Sequence, residues 1–243
     1  MNRPCSFDVA VLGAGPAGST CALQLARQGC SVLLVHHESA TLPVGESLPP
    51  MANRLLKQLD LEAPFRQGGH QACFGNLSAW GGDRLQSVDF IRDPDGHGWQ
   101  LNRTNFDQML RDAAMEAGVF VLTSSCRSTV PQRIDAGWRL AVVEDGSTVE
   151  SKWLVDATGI ASTVACAAGA RRESSNELLT YSAIFEPDEG RPVDSESVTL
   201  VEARRDGWWY TARLPNGIRV AVFFTDPGNH VDGPHYLEFL QET

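Results

Sequence analysis

The chain has 243 residues, enough for one large domain or one and a half ordinary ones, with a core that needs no disulfide staples. Its 20 basic residues stand against 30 acidic ones, and the net charge of −10 argues against nucleic acid or an anionic membrane as the main partner. All but two of the basic residues are arginine; the lysines are Lys57 and Lys152.

The first apolar run, FDVAVL (7–12), is β-branched and ends in glycine, as a buried parallel strand does. PAGSTCALQLARQG follows as a helix with Pro16 in its first turn and Gly29 as its stop, and SVLLV (31–35) is a second buried strand. Residues 7–36 therefore form a βαβ unit. The segment PVGESLPP (43–50) fences one acid, Glu46, with three prolines, and MANRLLKQLDL (51–61) reads as a short amphipathic helix. Residues 70–100, rich in Gly, Trp and Asp, read as antiparallel strands in a layer outside the parallel sheet. RTNFDQMLRDAAMEAG (103–118) is the clearest helix, with Phe106, Met109, Leu110, Ala113 and Ala114 on one face, Thr104 able to cap it and Gly118 ending it. VFVL (119–122) returns to the parallel sheet. Asp145-Gly146 marks a hairpin, and Leu178–Thr225 alternates short β-rich runs with turns.

The six cysteines (5, 21, 30, 73, 126 and 166) are scattered without metal-like spacing, so reduced thiols and no metal site are expected. No run approaches the roughly 18 apolar residues of a membrane span, and no signal-peptide core precedes the first strand. The cytoplasm is the expected compartment.

Gly13, Gly15 and Gly18 form G-x-G-x-x-G between a predicted strand and a predicted helix. That context points to nucleotide binding: a tight turn, an approach of backbone to a diphosphate, close packing of helix on strand, and free N–H groups at the helix start near Pro16 and Ala17. The acid that ordinarily closes the second strand and holds the ribose is replaced by His36. A neutral imidazole can accept a hydroxyl hydrogen bond, and Glu38 follows two residues on; the alternative is that His36 and His37 are loop residues without duty.

Three further stretches carry a resemblance. VDATGIAS (155–162) resembles the second flavin-contacting motif of the p-hydroxybenzoate hydroxylase-like superfamily; HGWQLNRTNFDQML resembles its Arg-x-x-Phe-Asp helix start, and VGESLPP resembles the G-E-[ST] loop of its flavin-dependent halogenases and related monooxygenases. The resemblance implies an α/β fold: a glutathione-reductase-like FAD-binding domain over 1–69 and 101–170, and an antiparallel substrate-side sheet over 70–100 and 171–243. It implies FAD as cofactor, held by Gly13, Gly15, Pro16, Ala17, Gly18, His36, Gly45, Glu46, Ser47, Arg103, Asp156 and Gly159, with Glu46 also presenting a charge or acceptor to the reaction chamber. The alternative for Glu46 is a surface acid that only solvates its loop.

The implied reaction is monooxygenation: NAD(P)H acts transiently as reductant, oxygen is activated at FAD, and an electron-rich, aromatic substrate is hydroxylated. The substrate is either a small molecule or a tryptophan side chain in a partner protein. Trp80, Trp99, Trp208, Trp209 and Tyr210 offer flat surface in the antiparallel layer, although such rings are usually core. His70 and His97 border it as candidate proton carriers or as ordinary satisfied histidines. Two departures from the family pattern stand out. No Gly-Asp third motif follows Asp226, so either a fragment or completion by another chain is expected. Halogenases carry a lysine in the strand layer after the G-E-S loop, whereas Lys57, on a predicted helix, is the sole lysine between Gly45 and Arg103; their W-x-W-x-I-P signature is replaced by YTARLP (210–215). Halogenation, isoprenoid double-bond reduction as in geranylgeranyl reductases, and a non-catalytic nucleotide-binding fragment are the alternatives.

Overall fold

The computed structural model describes residues 6–37, 47–82, 84–123, 131–141, 148–174, 177–187, 190, 195–228 and 236. In chain order, β1 (Ser6–Leu12), α1 (Pro16–Arg27) and β2 (Val32–His36) are followed by β3 (Ser47–Leu48), α2 (Met51–Gln58), α3 (Glu62–Gln67), β4 (Gln71–Cys73), β5 (Gly75–Ala79), β6 (Gln86–Asp89) and β7 (Gly98–Gln100). Next come α4 (Arg103–Glu116), β8 (Phe120–Thr123), β9 (Gln132–Ile134), β10 (Gly137–Ala141), β11 (Thr148–Asp156) and α5 (Thr163–Ala167). The last strands are β12 (Leu179–Phe185), β13 (Val198–Arg204), β14 (Gly207–Arg213) and β15 (Arg219–Thr225).

The chain divides into two compact units, one of residues 1–42 with 104–173 and one of residues 43–103 with 174–243. The first unit is built on one sheet in the order β8-β2-β1-β11-β10-β9. Its first four strands run parallel, and β10 and β9 add antiparallel pairs. Continuous apolar runs in β1 and β2 are what a strand covered on both faces requires: Ala10, Val11, Leu12, Leu33, Leu34 and Val35 are all essentially inaccessible. Phe7, Leu140, Val149 and Val164 complete this core. The register Ala141↔Thr148 sets the expected hairpin, whose Asp145-Gly146 turn lies outside the described residues.

In the second unit a six-stranded sheet runs β12-β15-β14-β13-β5-β6, and a small sheet runs β3-β7-β4. Three details differ from the sequence expectation. The helix expected over 51–61 stops at Gln58, because Asp60 adopts a left-handed conformation (φ 54°) and turns the chain into α3; Leu56, Leu61 and Phe65 are thereby all buried. The pair β5–β13 is parallel within an otherwise antiparallel sheet, which the long connection between the two strands permits. Finally, α4 begins at Arg103, so Thr104 lies inside its first turn instead of capping it; Phe106, Leu110 and Ala114 form its buried stripe. Residues 43–69, which the sequence grouped with the nucleotide domain, fall in the second unit, where Phe65 of α3 stacks edge-on against Trp99 of β7 at 5.2 Å.

Candidate cofactor site

The C-terminal edge of the parallel strands is where an open α/β sheet presents its ligand crevice. There β1 ends at Leu12 and the chain turns through Gly13, whose φ of +105° is unfavourable for a side chain. The Gly13 N–H donates to Val35 O (3.0 Å) and the Ala157 N–H donates to Leu12 O (2.8 Å), so the turn is tied to the strands on either side. A Cβ on Gly13 would sit 2.2 Å from Ala157 O, and one on Gly18 would sit 1.8 Å from Gly13 O. These two glycines therefore serve packing between the turn, the helix and the end of β11.

Gly15 differs from both. It has ordinary backbone angles (φ −73°, ψ −175°), and a Cβ added there meets nothing within 4 Å. The space in front of the α1 N-terminus is open, Ala17 is exposed, Pro16 occupies the first turn, and that turn carries no acid to repel an anion. First-turn N–H groups lack intrahelical acceptors and the helix dipole is positive at this end, so the opening suits a diphosphate. The residues present fit the group.

His36 closes β2 opposite Thr123 of β8, half-buried at the same sheet edge. Asp156 closes β11. Its Oδ1 accepts from the Thr158 hydroxyl (2.6 Å) and N–H (3.1 Å), its Oδ2 accepts from the Ala165 N–H (2.9 Å), and Thr158 Oγ1 accepts in turn from the Thr163 N–H (2.9 Å). Partial burial alone pushes the Asp156 pKa up, but these hydrogen bonds outweigh it and hold the carboxyl below its ordinary value. The carboxylate thus braces the turn that carries Gly159 and the start of α5. Gly159 (φ +66°) has open space at its Cβ position, and Ile160 beside it is 89% exposed.

Ser47 and Arg103 belong to the second unit. Ser47 is exposed and pairs with Gln100, and β7 runs on through buried Leu101 to Arg103. Gly45 and Glu46 lie outside the described residues. Two polar junctions here escaped the sequence reading. Gln100, 1% exposed, donates through Nε2 to Thr199 Oγ1 (2.8 Å). Asn53 donates to Asp95 O and His97 O (both 2.8 Å) and accepts from Trp99 Nε1 (2.7 Å), which joins α2 to β7 and to the turn before it.

The aromatic candidates separate by strand parity. Trp209 is 2% exposed and packs on Phe223 and Tyr236, so it is core and offers no substrate surface. Trp208, one residue earlier, faces the other side, stacked on Phe224 at 5.1 Å and lying 6.1 Å from Trp80, which is 58% exposed.

His70 accepts from the Asn102 N–H through Nδ1 (3.1 Å) and lies 4.3 Å from the Phe65 ring. Burial pushes its pKa down to about 4 from the ordinary 6.5. The unfolded chain therefore binds the proton more readily, and stability present above pH 6.5 is lost as pH falls toward 4. Thermal melts across that interval should show a downward slope that is shallower in His70→Phe; equal slopes would remove this account of His70.

A βαβ unit with a glycine turn at the carboxyl edge of a parallel sheet defines a dinucleotide-binding protein of the Rossmann-like class. Residues 6–233 match the model of the FAD-binding domain family, and the chain belongs to that family, with FAD as its cofactor. It is similar to the flavin-dependent halogenase gsfI of Penicillium aethiopicum, 31% identical over 249 residues that cover 89% of this chain and 46% of the relative. It is also similar to the flavin-dependent halogenase armH5 of Armillaria mellea, 30% identical over 276 residues, 98% of this chain and 51% of the relative. The chain spans about half the length of these relatives. Among solved structures, the peptidyl tryptophan dihydroxylase QhpG superposes with a TM-score of 0.72 at 24% identity, covering 98% of this chain and 50% of that one. The myxobacterial chondrochloren halogenase CndH gives 0.75 at 24%, covering 98% and 57%. These two likenesses establish the shared fold. No described helix is long and apolar enough to cross a membrane.

Proposed function

We propose that the chain forms the cofactor-binding part of an FAD-dependent monooxygenase that hydroxylates an electron-rich aromatic ring, with a tryptophan side chain of a partner polypeptide among its substrates. The balanced reaction consumes the ring C–H, one O2, one NAD(P)H and one proton, and yields the phenolic C–OH, water and NAD(P)+. FAD, when bound, supplies the electron relay and the oxygen activation.

The chain's own residues bind and orient. Gly15 leaves room for the diphosphate, with Pro16, Ala17 and the α1 N-terminus beside it; Gly13 and Gly18 keep that opening in shape. His36 accepts from a ribose hydroxyl, and Asp156 positions the Gly159 turn. Ser47 and Arg103 are assigned to the flavin end, Glu46 to the reaction chamber, and the exposed faces of Trp80 and Trp208 to the substrate ring. A reducing cytoplasm suits the free thiols, of which Cys166 is exposed.

The observation that favours oxygen over halogen transfer is the lysine census. Strands β4, β5, β6 and β7, the layer in which the halogenase resemblance calls for a lysine, carry none, and Lys57 lines a separate cleft with Asn53 and Trp99. A lysine is a compact ammonium with mobile donors that arginine does not reproduce. Halogenation is the second reading, favoured by the names of the relatives at 30% identity and above.

Reconstitution with FAD, then NADH or NADPH under oxygen with an indole-bearing peptide, separates the readings by mass spectrometry. One added oxygen, independent of chloride or bromide, is the expected product. A halogenated product that needs the halide would replace monooxygenation with the second reading, and failure to take up FAD would remove both.

A further inference from the structure

A cleft of about 440 Å³ opens between α2, α3 and the turn that leads into β7. Its two arginines are each paired with a carboxylate, and its lysine is not. Arg54 is clamped by Asp95 through Nε (3.2 Å) and Nη2 (2.6 Å), and Arg66 binds Glu62 Oε1 through Nε (3.3 Å) and Nη2 (3.0 Å). Each arginine thereby keeps its Nη1 without a partner among the described residues. Lys57 lines the same cleft, three positions after Arg54 and so on the same face of α2, and has no carboxylate partner among the described residues. In a chain of net charge −10, whose other lysine is held by Asp8 at 2.7 Å, an uncompensated ammonium at a concave site is a specific feature.

One wall of the cleft is flat and apolar. The Trp99 ring is fixed by its Nε1–H bond to Asn53 Oδ1 and by the His97 ring at 4.5 Å, an edge-on approach. His97 Nδ1 meets Gly98 O at 2.8 Å; a carbonyl only accepts, so Nδ1 carries the proton and, in the neutral ring, Nε2 is an acceptor. Asp95 and Glu62 at the rim, with Asp93 near Arg54, select against a dianion, and the Lys57 ammonium is the positive charge left without a carboxylate partner among the described residues. A monoanion matches that single charge.

We propose that this cleft binds a small monocarboxylate that carries a planar ring. The carboxylate takes the Lys57 ammonium and the spare Nη1 donors of Arg54 and Arg66, and the ring lies along Trp99. The cleft is lined wholly by residues of the second unit, and its assignment does not depend on the reaction assigned above.

Calorimetric titration of the FAD-loaded chain with benzoate at low ionic strength tests the assignment, with inorganic phosphate titrated in parallel. Benzoate should saturate one site, Lys57→Gln should weaken it by about twofold to fivefold, the worth of an exposed ion pair, and added salt should weaken it by screening. Lys57→Arg should retain most of the binding, which separates charge from disruption of α2, and all variants should keep the parent's FAD content and melting temperature. No saturable benzoate binding, equal binding to Lys57→Gln, or phosphate binding as tightly as benzoate would each overturn the proposal.

Discussion

Gly15→Val is expected to fold like the parent chain and to lose its flavin. The backbone at Gly15 suits any residue, and its missing Cβ faces open space, so no protein atom resists the larger side chain. Gly15 is also the N-cap of α1, where valine ranks below glycine, so the substitution costs about 1 kcal/mol at most in stability. What valine occupies is the volume in front of the α1 N-terminus, where an approaching diphosphate would meet the first-turn N–H groups. Each charge-assisted bond of that kind contributes about 1.5–3 kcal/mol. Loss of one or two of them lowers FAD affinity by at least about tenfold. Equilibrium dialysis against FAD, run beside a thermal melt, reads both quantities. Parent-like FAD binding by Gly15→Val would mean that the diphosphate lies elsewhere, and a collapsed melting temperature would mean that the position serves packing.

Local patterns carried most of the first unit. An uninterrupted apolar run, a G-x-G-x-x-G turn and a helical stripe all lie within thirty residues, and each constrains the next, so β1, α1 and β2 were readable almost to the residue. The second unit depends on partners that sequence does not place together. Gln100 meets Thr199 across 99 positions and Asn53 meets Trp99 across 46; no spacing rule reports such pairs. Strand alternation puts neighbours such as Trp208 and Trp209 on opposite sides of a sheet but holds no sign of which side is core, and burial assigns Trp209 to it. The α2–α3 break was hidden for a different reason. Asp60 in a left-handed conformation ends α2, while Pro64, which reads as a helix breaker, sits in the first turn of α3, where a missing N–H does no harm. At Asp156 the motif carries no sign of the local mechanics, since its carboxylate spends its oxygens on Thr158 and Ala165.

Gly18→Ala should behave in the opposite way to Gly15→Val. In the interior of an unhindered helix, alanine is favoured over glycine by about 1 kcal/mol, so propensity alone forecasts a more stable protein. The local geometry reverses the sign. An alanine Cβ at this position lies 1.8 Å from Gly13 O and 3.0 Å from both Gly13 C and the Ala157 Cβ, and the first of these neighbours is backbone in a turn that is itself tied to Val35 O. Relief requires α1 to move off the sheet by an ångström or more, which strips contacts from Ala22 and Leu23, both buried to about the last atom. Overpacking of this severity destabilises by about 3 kcal/mol or more, and for a chain of this length that corresponds to a fall in melting temperature of roughly 6–12 °C. Ala157→Gly in the same chain is expected to restore little of the loss, because it removes the side-chain neighbour and leaves the carbonyl of Gly13 in place. Full recovery in that double variant would locate the clash at Ala157 instead, and an unchanged melting temperature for Gly18→Ala would mean that the helix does not approach the glycine turn this closely.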